Sequence, residues 1–411
     1  MRRYDDPIIH YSAAVLLIIG LFSIFSGFSI PRLVYYSVYQ PDNWKAVILS
    51  LKPFINLFIV LSFGGFVYLL LSRGVSVKRV FGRKLREKTV VYGLTAVTLF
   101  LMAVVVLEKF IFHMRFNRWL LAPKHMILIT GLTITAYFLY LSYQFAKEKI
   151  NWKETVVVSL LFLGLLGLQP DVGTSILFVA SFALLFFMKT TKRWVRYLFG
   201  GSMIFFLLVI IFSIINARLN LQIPNPFPHS SLSHVIVRIN NWLNPFHDVT
   251  DKSYQIANSL YAVHKGGLVG VGYGFGTRKL YMGATVHTDF IFATIGEELG
   301  FIFSVFIFLV TALLVFRLLE ISYRFKSNFE KFFTLLVALE TFAMAVMNAG
   351  MAVNLLPSKG WPYPLISYGP FFTVFYVIQL GIVQFFLNRR FYEVYAPRSV
   401  KKRVKKQNLG G

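Results

Sequence analysis

Long, uninterrupted apolar runs constrain the fold of this chain more than any other feature. Ten runs are long enough, or nearly so, to cross a bilayer, which takes about 20 apolar residues in a helix. They cover 8–30, 50–72, 88–109, 125–146, 154–168, 173–189, 194–216, 290–317, 331–353 and 366–388. They do not alternate with polar residues, which favours helices over the strands of a β-barrel. The sequence therefore predicts an all-α polytopic membrane protein, a ten-helix transmembrane bundle in a single domain, 1–411.

The distribution of the basic residues predicts the orientation of this bundle. Lys and Arg number 42 against 17 Asp and Glu, and the net charge of +25 would also suit a nucleic-acid-binding protein. However, 28 of the 42 lie in the short loops and termini on the side of residue 1, as the positive-inside rule describes for cytoplasmic segments. We therefore expect both termini in the cytoplasm, a basic cytoplasmic tail at 389–411, and no nucleic-acid partner.

The longest stretch between apolar runs, 217–289, is predicted to be one large extracellular loop between the seventh and eighth spans. Within it, the spacing of apolar residues predicts a short amphipathic helix over 251–263. The pair Gly266-Gly267 would end that helix. The glycines between Gly270 and Gly276 then predict a backbone that either folds tightly or lies close to a ligand.

Asp289 stands at the boundary between this loop and the eighth apolar run, directly after His287 and Thr288. A partly desolvated carboxylate at this point could have a raised pKa and serve as a general base. The alternative is that Asp289 caps the helix that follows, where an aspartate is favoured by about 1 kcal/mol. The position alone leaves both roles open.

Three further carboxylates, Glu297, Glu298 and Glu340, lie inside apolar runs, where each costs roughly 2.5–3.5 kcal/mol on insertion scales. Glu297 and Glu298 point about 100° apart on one helix and cannot easily share a partner. We expect at least one of them to face the bundle interior and to pair with Lys, Arg or backbone groups, with a proton relay as the alternative role. Asp171, just after Pro170, either caps the sixth helix or binds a substrate cation.

Basic side chains on the outer side could form a patch for a polyanion such as pyrophosphate, although each alone is more commonly a solvated loop residue. They are Arg115, Arg118, Lys124, Arg238, Lys252, Lys265, Arg278 and Lys279. The histidines lack the spacing of zinc ligands, and the chain contains no cysteine. No structural metal site is therefore predicted.

Three motifs follow one another along the chain: Gln169 to Ser175, His287 to Gly300, and Leu356 to Gly369. Together and in this order they resemble the SEDS family (shape, elongation, division and sporulation), the FtsW/RodA proteins. Trp242 to Phe246, together with Tyr254-Gln255, also resembles the external loop of that family. The resemblance covers nearly the whole chain, and the ten-span topology of the family agrees with the ten apolar runs.

The resemblance implies a peptidoglycan glycosyltransferase of the bacterial cytoplasmic membrane, closer to FtsW than to RodA. Such enzymes polymerise lipid II at the outer face of the membrane, for cell division or elongation, with a class B penicillin-binding protein as partner. The catalytic aspartate of the family, the general base, falls on Asp289. We predict that the substrate is contacted by His287, Thr288, Arg118, Lys124, Asp171, Arg238, Tyr254, Gln255, Lys265 and Ser367. The resemblance establishes no particular cofactor, and a divalent cation, Mg²⁺ or Mn²⁺, could meet the charge of the leaving diphosphate.

The chain departs from the family pattern at several places: Ala122 to His125, Leu128, Asn258, Gly283 to Thr285, and Gly369 to Phe371. Leu128 stands where the family has a lysine, so that Lys124 becomes the candidate cation for the diphosphate. Pro370-Phe371 stands in place of Gly-Ser. Two other functions therefore stay open. One is a flippase for lipid-linked precursors, suggested by the acids inside apolar runs, and the other is an inactive scaffold for a partner synthase, suggested by the departures.

Overall fold

The computed structural model describes residues 6–31, 44–72, 87–112, 119–120, 127–169, 171–190, 233–249, 253–358 and 360–395. Helices account for nearly all of these residues. The described part also contains an antiparallel pairing of two short strands, β1 (Trp119–Leu120) and β2 (Ile127–Leu128), just before the fourth helix.

The helices follow one another in the order that the apolar runs predict. They are α1 Pro7–Ile24, α2 Trp44–Ser72, α3 Glu87–Ile111, α4 Thr130–Ala146, α5 Trp152–Leu168, α6 Val172–Lys189, α7 Ser233–Leu243, α8 Tyr254–Gly266, α9 Ile291–Arg324, α10 Asn328–Ala352 and α11 Pro370–Tyr395. A π-helical turn, Phe25–Ser29, continues α1, and two 3-10 turns, Arg278–Leu280 and Gly283–Thr285, precede α9.

Helices occupy nine of the ten predicted spans. Most ends agree within about five residues, but α2 begins earlier than predicted, at Trp44, and α9 and α11 run on to Arg324 and Tyr395. The tenth, 194–216, lies outside the described residues, so the total of ten spans and the limits of the large loop stay predictions. Seven of the described helices are long and apolar enough to cross a membrane. The amphipathic helix predicted over 251–263 is α8, three residues further along, and it ends at Gly267 with a φ of +54°.

Asp6 fixes the first helix to two others at the end of the bundle where the chain begins. This buried residue caps α1 by accepting hydrogen bonds from the N–H groups two and three residues on, at 3.1 and 3.3 Å, and Pro7 takes the first helical position. Its second carboxylate oxygen accepts from Nε of Arg317 in α9 at 2.8 Å. Its backbone N–H and C=O pair with the side-chain amide of Gln384 in α11 at 3.0 and 3.1 Å.

Helix α9, which packs against α1, α8 and α10, is broken at Gly300. The backbone there has φ +76° and ψ −177°, a conformation open to glycine and strained for other residues. A break frees N–H and C=O groups that need partners inside a membrane. The segment after α8 supplies these partners. The N–H groups of Phe301 and Ile302 donate to the carbonyls of Gly267 and Leu268 at 2.9 and 3.1 Å. In the other direction, the N–H groups of Val271 and Gly272 donate to the carbonyls of Glu297 and Glu298 at 3.0 Å.

Close approach to α9 explains two of the glycines of this loop, Gly270 and Gly276, whereas Gly272 and Gly274 take positive φ values of +102° and +84°. A β-carbon on Gly270 would lie 2.2 Å from the carbonyl oxygen of Glu298, and one on Gly276 would lie 2.9 Å from the Glu298 side chain. The sequence left open whether this backbone folds tightly or lies close to a ligand. In the structure its close neighbour is the broken helix itself.

Replacing Gly300 by alanine should lower the free energy of unfolding by about 2–3 kcal/mol, because the new side chain would hold a strained φ. The β-carbon would also lie 2.3 Å from the backbone nitrogen of Gly270. The matched control is Gly93→Ala in α3, where a β-carbon meets no atom within 4 Å and alanine should stabilise the helix by up to about 1 kcal/mol. Thermal unfolding in detergent checks both. Equal midpoints for the two variants would contradict the role given to the break.

Candidate functional site

Asp289 lies where the loop meets α9, and its side chain is partly buried. The N-cap position of α9 belongs to Phe290, one residue later, so Asp289 does not occupy the capping position that the sequence allowed. The carboxylate faces the loop between α10 and α11, where Oδ2 lies 3.0 Å from the place that a β-carbon on Gly360 would take. Gly360 has φ +43°, so a larger residue there would be strained and would crowd the carboxylate.

Asn348 of α10 holds the backbone on which Asp289 sits. Its Nδ2 donates to the carbonyl oxygens of Asp289 at 3.0 Å, Thr288 at 3.4 Å and Trp361 at 2.6 Å. Asn348 is fully buried, and only an amide or a cation could donate to several carbonyls from this position. The sequence reasoning missed this residue, although a polar side chain deep in an apolar run was the available signal.

Ser367 fixes the same strip of backbone from the other side. Its hydroxyl donates to the Thr288 carbonyl at 2.7 Å and accepts from the N–H of Tyr363 at 2.7 Å. The side chain is buried, so the structure shows Ser367 shaping the loop. Its predicted contact with substrate stays a prediction.

His287 is wedged between two aromatic rings, those of Phe28 and Tyr368, at centroid distances of 5.0 and 5.3 Å and in edge-on geometry. Its carbonyl accepts from the N–H of Tyr368 at 2.7 Å. The ring of His287 is buried, whereas Thr288 beside it is half-buried. The π-helical turn after α1 therefore borders the Asp289 loop.

Asp171 caps α6, which is one of the two roles that the sequence predicts for it. Its Oδ1 accepts from the N–H of Thr174 at 3.3 Å and its Oδ2 from the hydroxyl of Thr174 at 2.9 Å. Two residues further on, the lack of a side chain at Gly173 leaves room for the indole of Trp361. A β-carbon at that position would lie 1.9 Å from Nε1 of the indole. Contact of Asp171 with a substrate cation stays a prediction.

These contacts bring the three sequence motifs together, although they extend from residue 169 to residue 369. The first motif meets the third where Gly173 receives Trp361, and the second meets the third where Gly360 faces Asp289. Asn348, outside all three, joins the second and third by its hydrogen bonds. The result is a cluster of loops around one partly buried carboxylate.

Glu297 fastens the loop before this cluster to α9. It is fully buried, and its carboxylate accepts from the N–H groups of Thr277 and Arg278 at 2.8 and 3.0 Å. Lys265 adds an ion pair, with its Nζ 3.3 Å from Oε1 of Glu297. The side chain of Lys265 is 40% exposed, and its predicted contact with substrate stays a prediction.

Glu298 forms a buried ion pair with Lys279, whose Nζ lies 2.7 Å from Oε1, and the two side chains are 3% and 2% exposed. Ser26, from the π-helical turn, donates to the same carboxylate at 2.6 Å, and the N–H of Gly274 donates at 3.1 Å. The expected pairing with Lys or backbone groups is thus confirmed for both neighbouring glutamates. For Lys279, the interpretation as a solvated loop residue is wrong, because this pair buries its side chain. The same burial keeps it out of the basic patch suggested for a polyanion.

Glu340 lies in α10 and is fully buried, and neither of its carboxylate oxygens has a hydrogen-bond partner in the described part of the chain. The structure therefore separates it from Glu297 and Glu298, which hold the loop. A relay role for Glu340 stays a prediction.

The remaining predicted contacts are spread over the loop or fall outside the described residues. Outside them are Arg115, Arg118, Lys124 and Lys252. Arg238 is an exposed residue of α7, and Tyr254 and Gln255 begin α8, the first half-buried and the second exposed. For all of these residues, contact with substrate stays a prediction.

No three His, Asp or Glu side chains in the described ranges come close enough together to hold a metal ion. Hard divalent cations take six or more oxygen ligands, some of them carboxylates. Mg²⁺, however, is usually held by one or two carboxylates together with substrate phosphates and water. A divalent cation at this site therefore stays a prediction, and no catalytic step is assigned to one.

The fold and the site define a polytopic membrane protein whose loops converge on one carboxylate. The chain matches the family described as cell cycle protein, FTSW_RODA_SPOVE, over residues 12–390, and it belongs to that family. The resemblance found in the three motifs is thereby confirmed.

Relatives and solved structures agree with this membership. The probable peptidoglycan glycosyltransferase FtsW of Wigglesworthia glossinidia brevipalpis is 31% identical over 260 residues, 60% of this chain and 63% of the relative. That of Pasteurella multocida is 33% identical over 229 residues, 54% of this chain and 53% of the relative. The chain thus spans between about half and two thirds of the length of these curated relatives.

Two solved structures share the fold along nearly the whole chain. A chain of a peptidoglycan synthase complex in which polymerization and crosslinking are coordinated has a TM-score of 0.65 at 20% identity, covering 96% of this chain and 99% of its own. The rod shape determining protein RodA of Thermus thermophilus has a TM-score of 0.58 at 19% identity, covering 94% and 98%. At these identities the likeness concerns the fold, and it confirms the predicted all-α membrane architecture.

Proposed function

We propose that this chain is a peptidoglycan glycosyltransferase that polymerises lipid II at the outer face of the bacterial cytoplasmic membrane, with Asp289 as its general base. The observation that carries the proposal is that the three motifs contact one another and that the third, at Gly360, lies against the carboxylate of Asp289. Asn348 and Ser367 fix its backbone through buried hydrogen bonds, and a catalytic group needs such preorganisation. Relatives that are named peptidoglycan glycosyltransferases support the choice of reaction.

The proposed reaction joins two lipid-linked glycans. The carboxylate of Asp289 takes the proton from a hydroxyl of the acceptor sugar. The hydroxyl oxygen forms a bond to the anomeric carbon of the donor, and the bond from that carbon to the diphosphate oxygen breaks, with inversion at the carbon. Undecaprenyl diphosphate leaves with the bonding electrons, and the proton passes from Asp289 to water. The donor is already activated, so no cytosolic nucleotide is consumed.

Orientation and partner belong to the same proposal. We propose that both termini lie in the cytoplasm, as the bias of basic residues favours, and that the Asp289 loops lie outside. A class B penicillin-binding protein, a transpeptidase, is the proposed partner, and the fold shared with a chain of a peptidoglycan synthase complex supports it. The basic external residues, Lys124 among them, are proposed to meet the charge of the diphosphate.

The structure gives less support to the flippase alternative than the sequence does. It was suggested by three acids inside apolar runs, and two of these, Glu297 and Glu298, are engaged in fastening the loop. Glu340 alone still favours it. Of the departures that suggested an inactive scaffold, Pro370 occupies the start of α11, where proline is readily accommodated.

Purified protein incubated with lipid II should produce glycan strands, resolved by gel electrophoresis as a ladder of chain lengths. The assay is run with and without Mg²⁺ or Mn²⁺, and with and without the partner transpeptidase. A parallel assay in liposomes follows movement of labelled lipid II between leaflets. Movement of lipid without polymer would replace the proposal by the flippase, and neither polymer nor movement under any condition would replace it by the scaffold.

A further inference from the structure

Glu340 places a carboxyl group at the centre of a membrane-spanning helix. It is the middle residue of α10, Asn328–Ala352, about 18 Å from either end of the helix. Its side chain is 0% exposed, and neither carboxyl oxygen has a hydrogen-bond partner among the described residues. The ion pairs of the described chain do not include it. An unpaired charge is costly at this depth, so such a group binds a proton or a counter-ion.

A second polar atom without a partner lies on the neighbouring helix. The side-chain amide of Gln379 in α11 interacts with Glu340. Its Nε2 donates to the hydroxyl oxygen of Thr135 in α4 at 3.0 Å, and that hydroxyl donates to the Gly131 carbonyl at 2.8 Å. Its Oε1 is buried and accepts no hydrogen bond from the described residues. A buried amide oxygen needs a donor, and the carboxyl group of Glu340 is a donor only when it carries a proton.

The other polar groups beside Glu340 are neutral and already engaged. The hydroxyl of Thr341 donates to the Val337 carbonyl at 2.7 Å, so it accepts the hydrogen bond that it shares with the hydroxyl of Tyr376. Tyr376, on α11, also interacts with Glu340. A metal ion fits this place less well than a proton, because hard cations take six or more oxygen ligands. The unpaired oxygens here are the two of Glu340 and the one of Gln379.

We propose that Glu340 is a proton-binding site, occupied at neutral pH, and that its bound proton is donated in a hydrogen bond to Oε1 of Gln379. One proton then satisfies both unpaired groups and completes a chain of hydrogen bonds from α10 through α11 to α4. Asn348 lies two turns further along α10, about 12 Å towards the Asp289 loops. The chain therefore anchors the helix that holds the backbone of Asp289. The site is independent of the reaction proposed for that residue.

Infrared spectra of the purified full-length protein, recorded at neutral pH in detergent, test for the proton directly. The wild type should show the C=O stretch of a protonated carboxylic acid, at higher frequency than the amide and carboxylate bands, and Glu340→Gln should lack it. Glu320→Gln is the matched control, because it removes an exposed glutamate that is paired with Arg317 and Arg324 and should leave the band unchanged. A wild-type spectrum without this band, or an unchanged band in Glu340→Gln, would overturn the proposal.

Thermal and denaturant unfolding of the same samples test Gln379 as the acceptor. Glu340→Gln keeps an N–H donor for that oxygen and should unfold at the wild-type midpoint. Glu340→Met has no donor and should raise the unfolding equilibrium constant at least about fivefold, as expected when a buried acceptor loses its partner. Adding Gln379→Met should reverse most of this rise, because the unpaired amide oxygen is then gone.

Three results of the unfolding experiments would contradict the site. Wild-type stability in Glu340→Met, or no recovery in the double variant, would remove Gln379 as the acceptor. A Glu340→Gln variant much more stable than the wild type would show that the native carboxyl group is ionised. A wild-type midpoint that is higher in sodium chloride than in choline chloride, with no such difference in Glu340→Gln, would replace the proton by a bound metal ion.

Discussion

Asp289→Asn should abolish polymerisation of lipid II while leaving folding and membrane insertion intact. Asparagine has nearly the same shape as aspartate but cannot take a proton from the acceptor hydroxyl, and loss of a positioned general base costs about 10²–10⁴-fold in rate. The backbone of residue 289 is held by Asn348 through its carbonyl, which the substitution does not alter. The measurement is the initial rate of glycan-strand formation by purified protein, with elution volume and thermal midpoint recorded on the same sample.

Glu320→Gln is the matched control for this loss of a negative charge. Glu320 lies at the other end of α9, 46% exposed, and pairs there with Arg317 and Arg324. Surface pairs of this kind contribute about 0–1 kcal/mol, so the variant should polymerise lipid II at the wild-type rate. Retained polymerisation in Asp289→Asn would remove the base assignment, whereas equal losses in both variants would indicate a general effect of charge.

Lys279→Met should lower the free energy of unfolding by about 3–5 kcal/mol, the cost of leaving one partner of a buried ion pair without the other. Among the described residues, the carboxylate of Glu298 would keep the hydroxyl of Ser26 and the N–H of Gly274 as its donors. Ser26 and Lys279 hold the loop after α8 against the broken helix α9. The backbone hydrogen bonds between that loop and α9 should therefore weaken together in the variant. Unfolding in mixed detergent micelles measures the change.

The double variant Lys279→Met/Glu298→Gln separates the missing charge from the missing contacts. It removes both charges while keeping an amide oxygen for Ser26 and Gly274, and it should recover at least half of the lost stability. Arg324→Met, which breaks an exposed pair with Glu320, is the control and should change stability by less than about 1 kcal/mol. A double variant as unstable as Lys279→Met would show that the packing of Lys279, rather than its charge, stabilises the loop.

The helices were predictable because the apolar runs are long and continuous, which is the strongest signal that a sequence carries. The same property hid the break at Gly300, since a lone glycine in an apolar run is usually tolerated within a helix. The angle between Glu297 and Glu298 correctly predicted separate partners. The identity of those partners depends on how the preceding loop folds back, which no local pattern records.

In the candidate site, too, the residues marked by a local sequence pattern were predictable, and those whose role depends on tertiary contacts were not. Asp289 and the motif around it could be found from the position of an acid at the edge of an apolar run and from the resemblance to a family. Asn348 could not be assigned, because its role exists only when α10 lies beside both loops. The burial of Lys279 was not predicted, because an isolated lysine in a loop is normally solvated. Its burial depends on the ion pair with a glutamate 19 residues later in the chain.

The surroundings of Asp289 are assembled from segments that leave the ribosome at different times. Gly360 and Ser367, which complete them, are synthesised some seventy residues after Asp289, a delay of about 3–14 s at ordinary elongation rates. Until α11 is inserted and draws this late segment back over α9, the nascent chain holds the aspartate without its final neighbours. The carboxylate therefore reaches its final surroundings only after the segment around Gly360 and Ser367 has been synthesised and has folded back beside it.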